Sequence, residues 1–501
     1  MPIVGKLYGE VSPTSFNILL SDTSIGRGNY VKVNHDLCGW VLARVESTKR
    51  YIDSSGAEID IARARTIGYR ADGNILIPRT AFKPDEKVHS ADNELILDVL
   101  GLRKQKTSCI YVGFLEGHDI PVYLDVKKTI AKHMAILAKT GAGKSYTVGV
   151  ILEELLKYGM PIVVIDPHGE YSGLRYENED YDALLKFGLK TKSYADQITE
   201  YSVNVEANPY SKRLCIKTRF DIDELIEIMP MKLNDKQKLI LFNALKQVEG
   251  RDYTLNELIS IIKLDKSKAK WKVVSGLESL KSSGIFDGRP IHEKELVREN
   301  HASIINLKGA DPSIQALVVA KISKDLFNAR SLNQIPGFFL LLEEAQNFCP
   351  ERSFGEAISS NILRTIAFEG RKFEIHLCVV SQRPTRIDKN VLSQCSTQII
   401  LKITNPNDLK TIGQSIEGFT PGMEEEIRQL PVGHALIVGP VEQPITVTVR
   451  TRETKHESIY TRITKEETDK KKSIKREKKG KKKTMLQTVK SIFLKDVDEV
   501  S

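Results

Sequence analysis

Several features that would narrow the field are absent from these 501 residues. The six cysteines, Cys38, Cys109, Cys215, Cys349, Cys378 and Cys395, form no CxxC pair and do not cluster with histidine at metal-ligand spacing. That excludes a disulfide scaffold and a structural zinc site, and leaves free thiols in a reducing compartment. No apolar run approaches the roughly 18 residues a membrane span requires. The start, MPIVGKLYGEV, lacks the basic-then-apolar pattern of a secretory leader. A soluble, cytoplasmic protein with no membrane partner is therefore expected. No internal repeat of fixed period is present. Charge imbalance is confined to one place: residues 465–484, KEETDKKKSIKREKKGKKKT, hold eleven Lys and Arg against four Asp and Glu, seven of the nine net positive charges. The remainder is close to neutral, so composition supplies no electrostatic footprint for nucleic acid.

What is present changes character along the chain, which is long enough for two or three domains. Up to about residue 115, short segments alternate apolar and polar residues between Gly, Pro, Asn and Asp: VGKLYGEV, SFNILLS, NYVKVN, GWVLARVEST and ILIPRTAF. This period-two text predicts a small antiparallel β-barrel or sandwich over 1–115. From Pro121 apolar strands alternate with helices, the pattern of a parallel sheet covered on both faces. The strands are MAILA (134–138), PIVVID (161–166), ASIINL (302–307), GFFLLLEE (337–344), IHLCVVSQ (375–382) and STQIILKI (396–403). This α/β unit is expected to span 116–208 and 301–455 and to close with HALIVGP and PITVTVRTR. Residues 209–300 (FDIDELIEIM, DKQKLILFNALKQVEG, TLNELISIIKL) read as a helical insertion, and 456–501 as a basic, partly disordered tail.

The chemistry concentrates in Ala138 to Ser145, AKTGAGKS. The phosphate-loop template G-x-x-x-x-G-K-[ST] is met at its second Gly, Lys and Ser, with Ala138 in place of the first Gly. A phosphate cradle needs backbone N–H groups turned inward, and Thr140-Gly141-Ala142-Gly143 puts two glycines where the chain turns most tightly. Ala138, Lys139, Thr140, Gly141, Ala142, Gly143 and, beyond the loop, Tyr146 are thus expected around a nucleotide whose phosphates rest on the N-terminus of the helix YTVGVILEELLKYG. Lys144 is expected to reach the β- and γ-phosphates and Ser145 to bind Mg²⁺. A glycine-rich loop without a ligand is the alternative, and the strand–loop–helix–strand context argues against it.

Hydrolysis of ATP needs more than a cradle. GFFLLLEEAQNF ends in Glu343 and Glu344, at the strand edge where α/β sheets place ligands. Glu343 is assigned to Mg²⁺, and its extra methylene relative to Asp leaves direct or water-mediated contact open. Glu344 is assigned to the attacking water. The pair could instead cap a following helix, AQNFCP. PIVVIDPHGEY ends in Asp166, His168 and Glu170, either part of the nucleotide site or a solvated turn. IHLCVVSQRPTRID ends in Gln382, whose amide can hydrogen-bond the γ-phosphate or the water, or be a plain strand-end residue.

Taken together, KHMAILAKTGAGKS, VVIDPHGEYSG, FLLLEEAQNFCPE, AFEGRKFEIHLCVVSQRPTRID and LPVGHALIVGP resemble the archaeal and bacterial HerA family of hexameric DNA translocases, within the HerA/FtsK group. The resemblance covers about residues 1–455. It implies an N-terminal HAS-like barrel, a RecA-like P-loop ATPase core and an inserted helical bundle. It also implies an ATP- and Mg²⁺-dependent ring with ATP between subunits, threading duplex DNA and working with a NurA-type nuclease at double-strand ends. A ring motor needs a cation from the neighbouring subunit to stabilise charge on the γ-phosphate. Arg371, in EGRK, is the first candidate. The family also carries a basic residue before the P-loop strand, here Lys132, which lacks arginine's planar fork. A surface ion pair is the plainer reading of either. The Lys-rich text KLDKSKAKWK around Trp271 fits a DNA contact or a solvated helix face equally. Two other functions stay open: a related ring motor moving another polymer in conjugation or secretion, and a nucleotide-gated DNA-binding scaffold with negligible turnover.

Overall fold

The computed structural model describes residues 2–52, 56, 58–102, 108–217, 222–251, 253–286 and 288–456. The basic tail from 457 onward, and so nearly all of the segment expected at 456–501, lies outside them. Seven strands come first: β1 (Ile3–Val11), β2 (Ser15–Leu20), β3 (Tyr30–His35), β4 (Gly39–Ile52), β5 (Glu58–Ala71), β6 (Asn74–Leu76) and β7 (Lys87–Ser90). They pair antiparallel in the order β2-β1-β7-β3-β4-β5-β6, and a further pairing of β2 with β5 closes six of them into a barrel. Period two does the packing: Val31 and Val33, Val41 and Val45, and Ala62 and Ala64 all point into one buried cluster. Strands β5 and β7 escape a linear reading because β5, EIDIARARTIGYRA, interleaves arginines with small residues that carry little apolar signal.

The second sheet has twelve strands: β8 (Cys109–Leu115), β9 (Pro121–Asp125), β10 (Met134–Leu137), β11 (Ile162–Asp166), β12 (Ile198–Ser202), β13 (Lys212–Arg213), β14 (Ala302–Asn306), β15 (Phe338–Leu342), β16 (Ile375–Ser381), β17 (Thr397–Ile400), β18 (His434–Val438) and β19 (Ile445–Val449). Their order is β13-β12-β14-β11-β15-β16-β10-β17-β18-β19-β8-β9. Neighbours from β13 to β17 are parallel and those from β17 to β9 antiparallel. The sheet boundary therefore falls before Cys109 rather than at residue 115. Strand β8 pairs with β19, Leu115 opposite Val447, because CIYVGFL is apolar almost throughout and suits a strand covered on both faces.

Alternate residues of the central strands feed opposite faces. Ala135, Leu137, Val163 and Ile165 join one hydrophobic cluster, while Met134, Ile136, Ile162 and Val164 join the other beneath the helix Lys144–Tyr158. The segment expected to be a helical insertion carries helices Ile222–Ile228, Asp235–Val248, Leu255–Lys263, Lys270–Ser282 and Glu293–Leu296. Its second helix starts on a capping box formed by Asn234 and Gln237, and its third on the Thr254 hydroxyl. Leu241, Leu258 and Leu277 bury into the first of the two clusters. Trp271 is 58% exposed with the Lys270 ammonium 5.5 Å from its ring. No helix among the described residues is long and apolar enough to cross a membrane.

Candidate nucleotide site

Strand β10 leaves the sheet at Leu137 and turns through 138–143 into the helix Lys144–Tyr158. Gly141 and Gly143 take φ of 78° and 99°, the left-handed region that L side chains avoid. Gly143 is the N-cap and offers no side chain, so the first-turn amides stay available to an incoming anion. Ala138 does not adopt a positive φ, so alanine in place of glycine costs the cradle nothing. Its N–H donates to Ser381 O at 3.2 Å, that of Lys139 to Lys402 O at 2.9 Å and that of Ala142 to Lys139 O at 3.2 Å. These bonds hold the loop open between β16 and β17.

Lys144 is buried, and its ammonium donates to Glu343 Oε1 and, at 2.7 Å, to Glu344 Oε1. Burial opposes its charge, but the two carboxylates outweigh that and hold its pKa up at about 12. Their own environments differ. Burial pushes Glu343 above the ordinary carboxylate range despite Lys144 and Tyr171. At Glu344 burial is overcome by Lys144 and by hydrogen bonds from Gln346 and Gln382, so its carboxyl lies below that range. Glu344 is thus ionised at neutral pH, the form that orients or deprotonates water.

Glu344 also stands in a left-handed conformation, φ 51° and ψ 47°. A non-glycine residue there costs on the order of 1 kcal/mol and persists where its surroundings dictate it. Those surroundings are amide donors from Gln382, at 2.7 Å, and from Gln346. Glu344 makes no side-chain cap bond, and Ala345–Asn347 is a single 3₁₀ turn rather than an α-helix, so the capping alternative finds no geometry to rest on. Gln382 spans the site: it donates to Glu344 and accepts from the Thr140 hydroxyl of the loop.

The turn after β11 supplies a third wall. Asp166 is fully buried and accepts from the amides of Gly169 (2.8 Å), Tyr171 (3.1 Å) and His168 (3.2 Å). Burial raises its pKa to about 7, and its oxygens serve the turn itself. Glu170 accepts from the Ser145 hydroxyl. Ser145 with the Glu170 and Glu343 carboxylates is a set of hard oxygen donors, the chemistry Mg²⁺ selects. The uncapped helix end beside them suits phosphate, so the residues present fit a magnesium nucleotide. His168 is exposed, and the Tyr146 hydroxyl accepts from the Arg452 N–H at 2.9 Å.

Arg371 and Lys132 are not brought to this site. Arg371 lies in the 3₁₀ turn Gly370–Phe373 and donates to Gln394 O at 3.0 Å and to Gln394 Oε1 at 3.2 Å. Lys132 is exposed just before β10. Both sit at the amino edge of the sheet, and the seven residues of β16, at ~3.3 Å each, place roughly 20 Å between Arg371 and Gln382. Neither can meet a γ-phosphate held by its own chain.

Three contributors have no place in a linear reading. Tyr171 donates its hydroxyl to Glu343 Oε2, and Gln346 joins Glu344 to Ser381, whose hydroxyl donates to Gln346 Oε1 at 2.6 Å. Arg450, fully buried, donates to Glu153 Oε2 and Glu154 Oε1 at 2.9 Å each, anchoring the last described segment to the phosphate-loop helix. Gly149 permits that approach, since a Cβ there would stand 2.6 Å from the Arg452 guanidinium. The signal for this cluster was the Glu153-Glu154 pair inside an otherwise apolar helix stretch.

A cradle after the first parallel strand, two carboxylates after β15 and a glutamine after β16 define a P-loop ATPase with a RecA-like core, here joined to a β-barrel and a helical insertion. A family model described as "Helicase HerA, central domain" matches residues 110–326. A probable helicase of Methanocaldococcus jannaschii is 28% identical over 488 residues, 89% of this chain and 90% of that protein. The DNA double-strand break repair helicase HerA of Pyrococcus furiosus is 26% identical over 514 residues, 87% and 90%. Among solved structures, VirB4 of Thermoanaerobacter pseudethanolicus aligns with TM-score 0.49 and 16% identity over 71% of this chain and 98% of its own, a likeness that by itself decides nothing. Over most of its length the chain is thus similar to HerA helicases.

Proposed function

We propose that this protein is an ATP-driven DNA translocase or helicase that assembles as a hexameric ring, is cytoplasmic, and acts with a NurA-type nuclease on double-strand ends. The barrel, the motor, its helical insertion and the basic tail are the parts of that machine. The observation that carries the reading is the mutually bonded set Lys144, Glu343, Glu344, Gln382 and Thr140 at the carboxyl edge. The double-strand break repair helicases among the relatives supply the DNA.

The geometry suggests an exchange of partners. A γ-phosphate entering the cradle competes for Lys144, which then leaves Glu343 and Glu344. Glu344, ionised and held by Gln346 and Gln382, is left to orient the attacking water. Gln382, bonded to both Thr140 and Glu344, is placed to report the change to β16. Mg²⁺, held by Ser145 and Glu343 with Glu170 beside them, would neutralise charge between the β- and γ-phosphates. Arg371, too far from its own chain's site, is offered to a neighbour's, with Lys132 beside it on the same edge. An ionised base in bonded position favours turnover over a nucleotide-gated scaffold.

The test is ATP hydrolysis with and without linear duplex DNA, for wild type, Lys144→Ala and Glu344→Gln. DNA is expected to stimulate the wild type, and each variant to lose about 10²- to 10³-fold. Hydrolysis indifferent to DNA would remove the DNA motor, and full activity in Lys144→Ala would remove the site.

A further inference from the structure

Glu343 divides its two oxygens between unlike partners. Oε1 accepts from the Lys144 ammonium, on a long flexible stem, and Oε2 accepts from the Tyr171 hydroxyl. Tyr171 has no such freedom. Its ring is fully buried in the cluster that includes Leu174 and Tyr194, and its N–H donates to Asp166 Oδ2 at 3.1 Å, fixing the phenol from its own backbone outward. A phenol hydroxyl is protonated at physiological pH, so Tyr171 serves Glu343 as a donor.

These facts bear on the extra methylene at position 343. A glutamate that loses Lys144 to a nucleotide regains a rotamer choice that a shorter aspartate would not have. A donor fixed on Oε2 removes that choice. We propose that Tyr171 is a positioning residue for Glu343: its hydroxyl keeps Oε2 and so directs Oε1 to the metal ion once Lys144 has moved to the phosphate. This rests on the nucleotide site proposed above and adds to it a residue that touches neither nucleotide nor water.

Tyr171→Phe removes the hydroxyl and leaves the ring. The readout is binding of a fluorescent ADP analogue to the full chain, in EDTA and at stepped Mn²⁺, with bound Mn²⁺ counted by electron paramagnetic resonance. Metal-free affinity is expected to stay within about two-fold, while half-saturation by Mn²⁺ rises about 10-fold, as loss of a ligand's hydrogen-bond partner does elsewhere. Glu343→Gln should show the same Mn²⁺ defect or a larger one, and adding Tyr171→Phe to it should change nothing further. An unchanged Mn²⁺ requirement in Tyr171→Phe overturns the proposal, as does a parallel fall in metal-free affinity, the mark of a role in packing alone. Additive defects in the double variant overturn it too. If the wild type binds the analogue in neither condition, the nucleotide site itself is wrong, an outcome separate from all of these.

Discussion

The two edges of the core sheet are built on opposite principles. At the carboxyl edge Lys144, Glu343, Glu344, Gln382 and Thr140 are drawn together, and the three charged groups are buried and spent on one another. At the amino edge Lys132 is exposed, and Arg371 is tied to a single residue, Gln394. Charges that must receive a triphosphate are stored in neutralised form, because an unpaired buried charge is costly. On the proposed reading these cations serve another chain, and an exposed cation can stay in water at little cost.

Removing Lys144 should break the contrast most violently. Lys144→Ala leaves two buried carboxylates facing each other, a loss of about 3–5 kcal/mol in stability for a broken buried pair. Denaturant midpoints check this, and Arg371→Ala should shift them by less than about 1 kcal/mol. Equal shifts in the two variants would erase the distinction between the edges. Arg371→Ala should instead lower ATP hydrolysis about 10²-fold or more, as loss of one group aimed at developing charge does, with nucleotide binding retained. A parallel fall in nucleotide affinity would argue against it.

The amino edge has its own buried group, His133, beneath Arg371. Its Nε2 donates to Ala367 O at 3.0 Å and its Nδ1 accepts from Leu377 N–H at 2.9 Å, which fixes a neutral imidazole. Burial, then the Arg371 charge, drives its pKa down to about 4. Unfolded chain takes up that proton near pH 6.5, folded chain only near 4, so stability falls as pH drops through this window, by on the order of 3 kcal/mol. In Arg371→Ala one opposing charge is gone, the folded pKa rises, and the loss between pH 7.5 and pH 5 should be smaller than in wild type. Denaturant midpoints at the two pH values measure the difference. The smallest effect is expected from Lys132→Ala, a few-fold at most in hydrolysis, since an ammonium without arginine's fork is the weaker phosphate partner.

Much of this was legible in one dimension. MAILA, PIVVID, ASIINL and GFFLLLEE became β10, β11, β14 and β15 within a residue or two, because strands buried on both faces write continuous apolar text. The loop and the carboxylates were legible because their chemistry needs those residue types at strand ends. Strand β12, ITEYS, was not, since it buries Glu200, which is paid for by Asn306 Nδ2 at 2.6 Å and the Ser172 hydroxyl at 3.1 Å across the fold. Tyr171 and Gln346 were hidden for a similar reason. Their partners are set by the register of β11 against β15, Ile165 opposite Leu342, and no local pattern encodes that. Helix text after Glu344 misleads because the chain makes one 3₁₀ turn and stops.

The central claim is that one chain's carboxyl edge is completed by another chain's amino edge. Mixing Glu344→Gln subunits with Arg371→Ala subunits tests it, because a mixed assembly contains interfaces where an intact Glu344 meets an intact Arg371. ATP hydrolysis by the mixture should exceed that of either variant alone. A mixture no more active than its parts, under conditions where subunits exchange, would contradict a shared site.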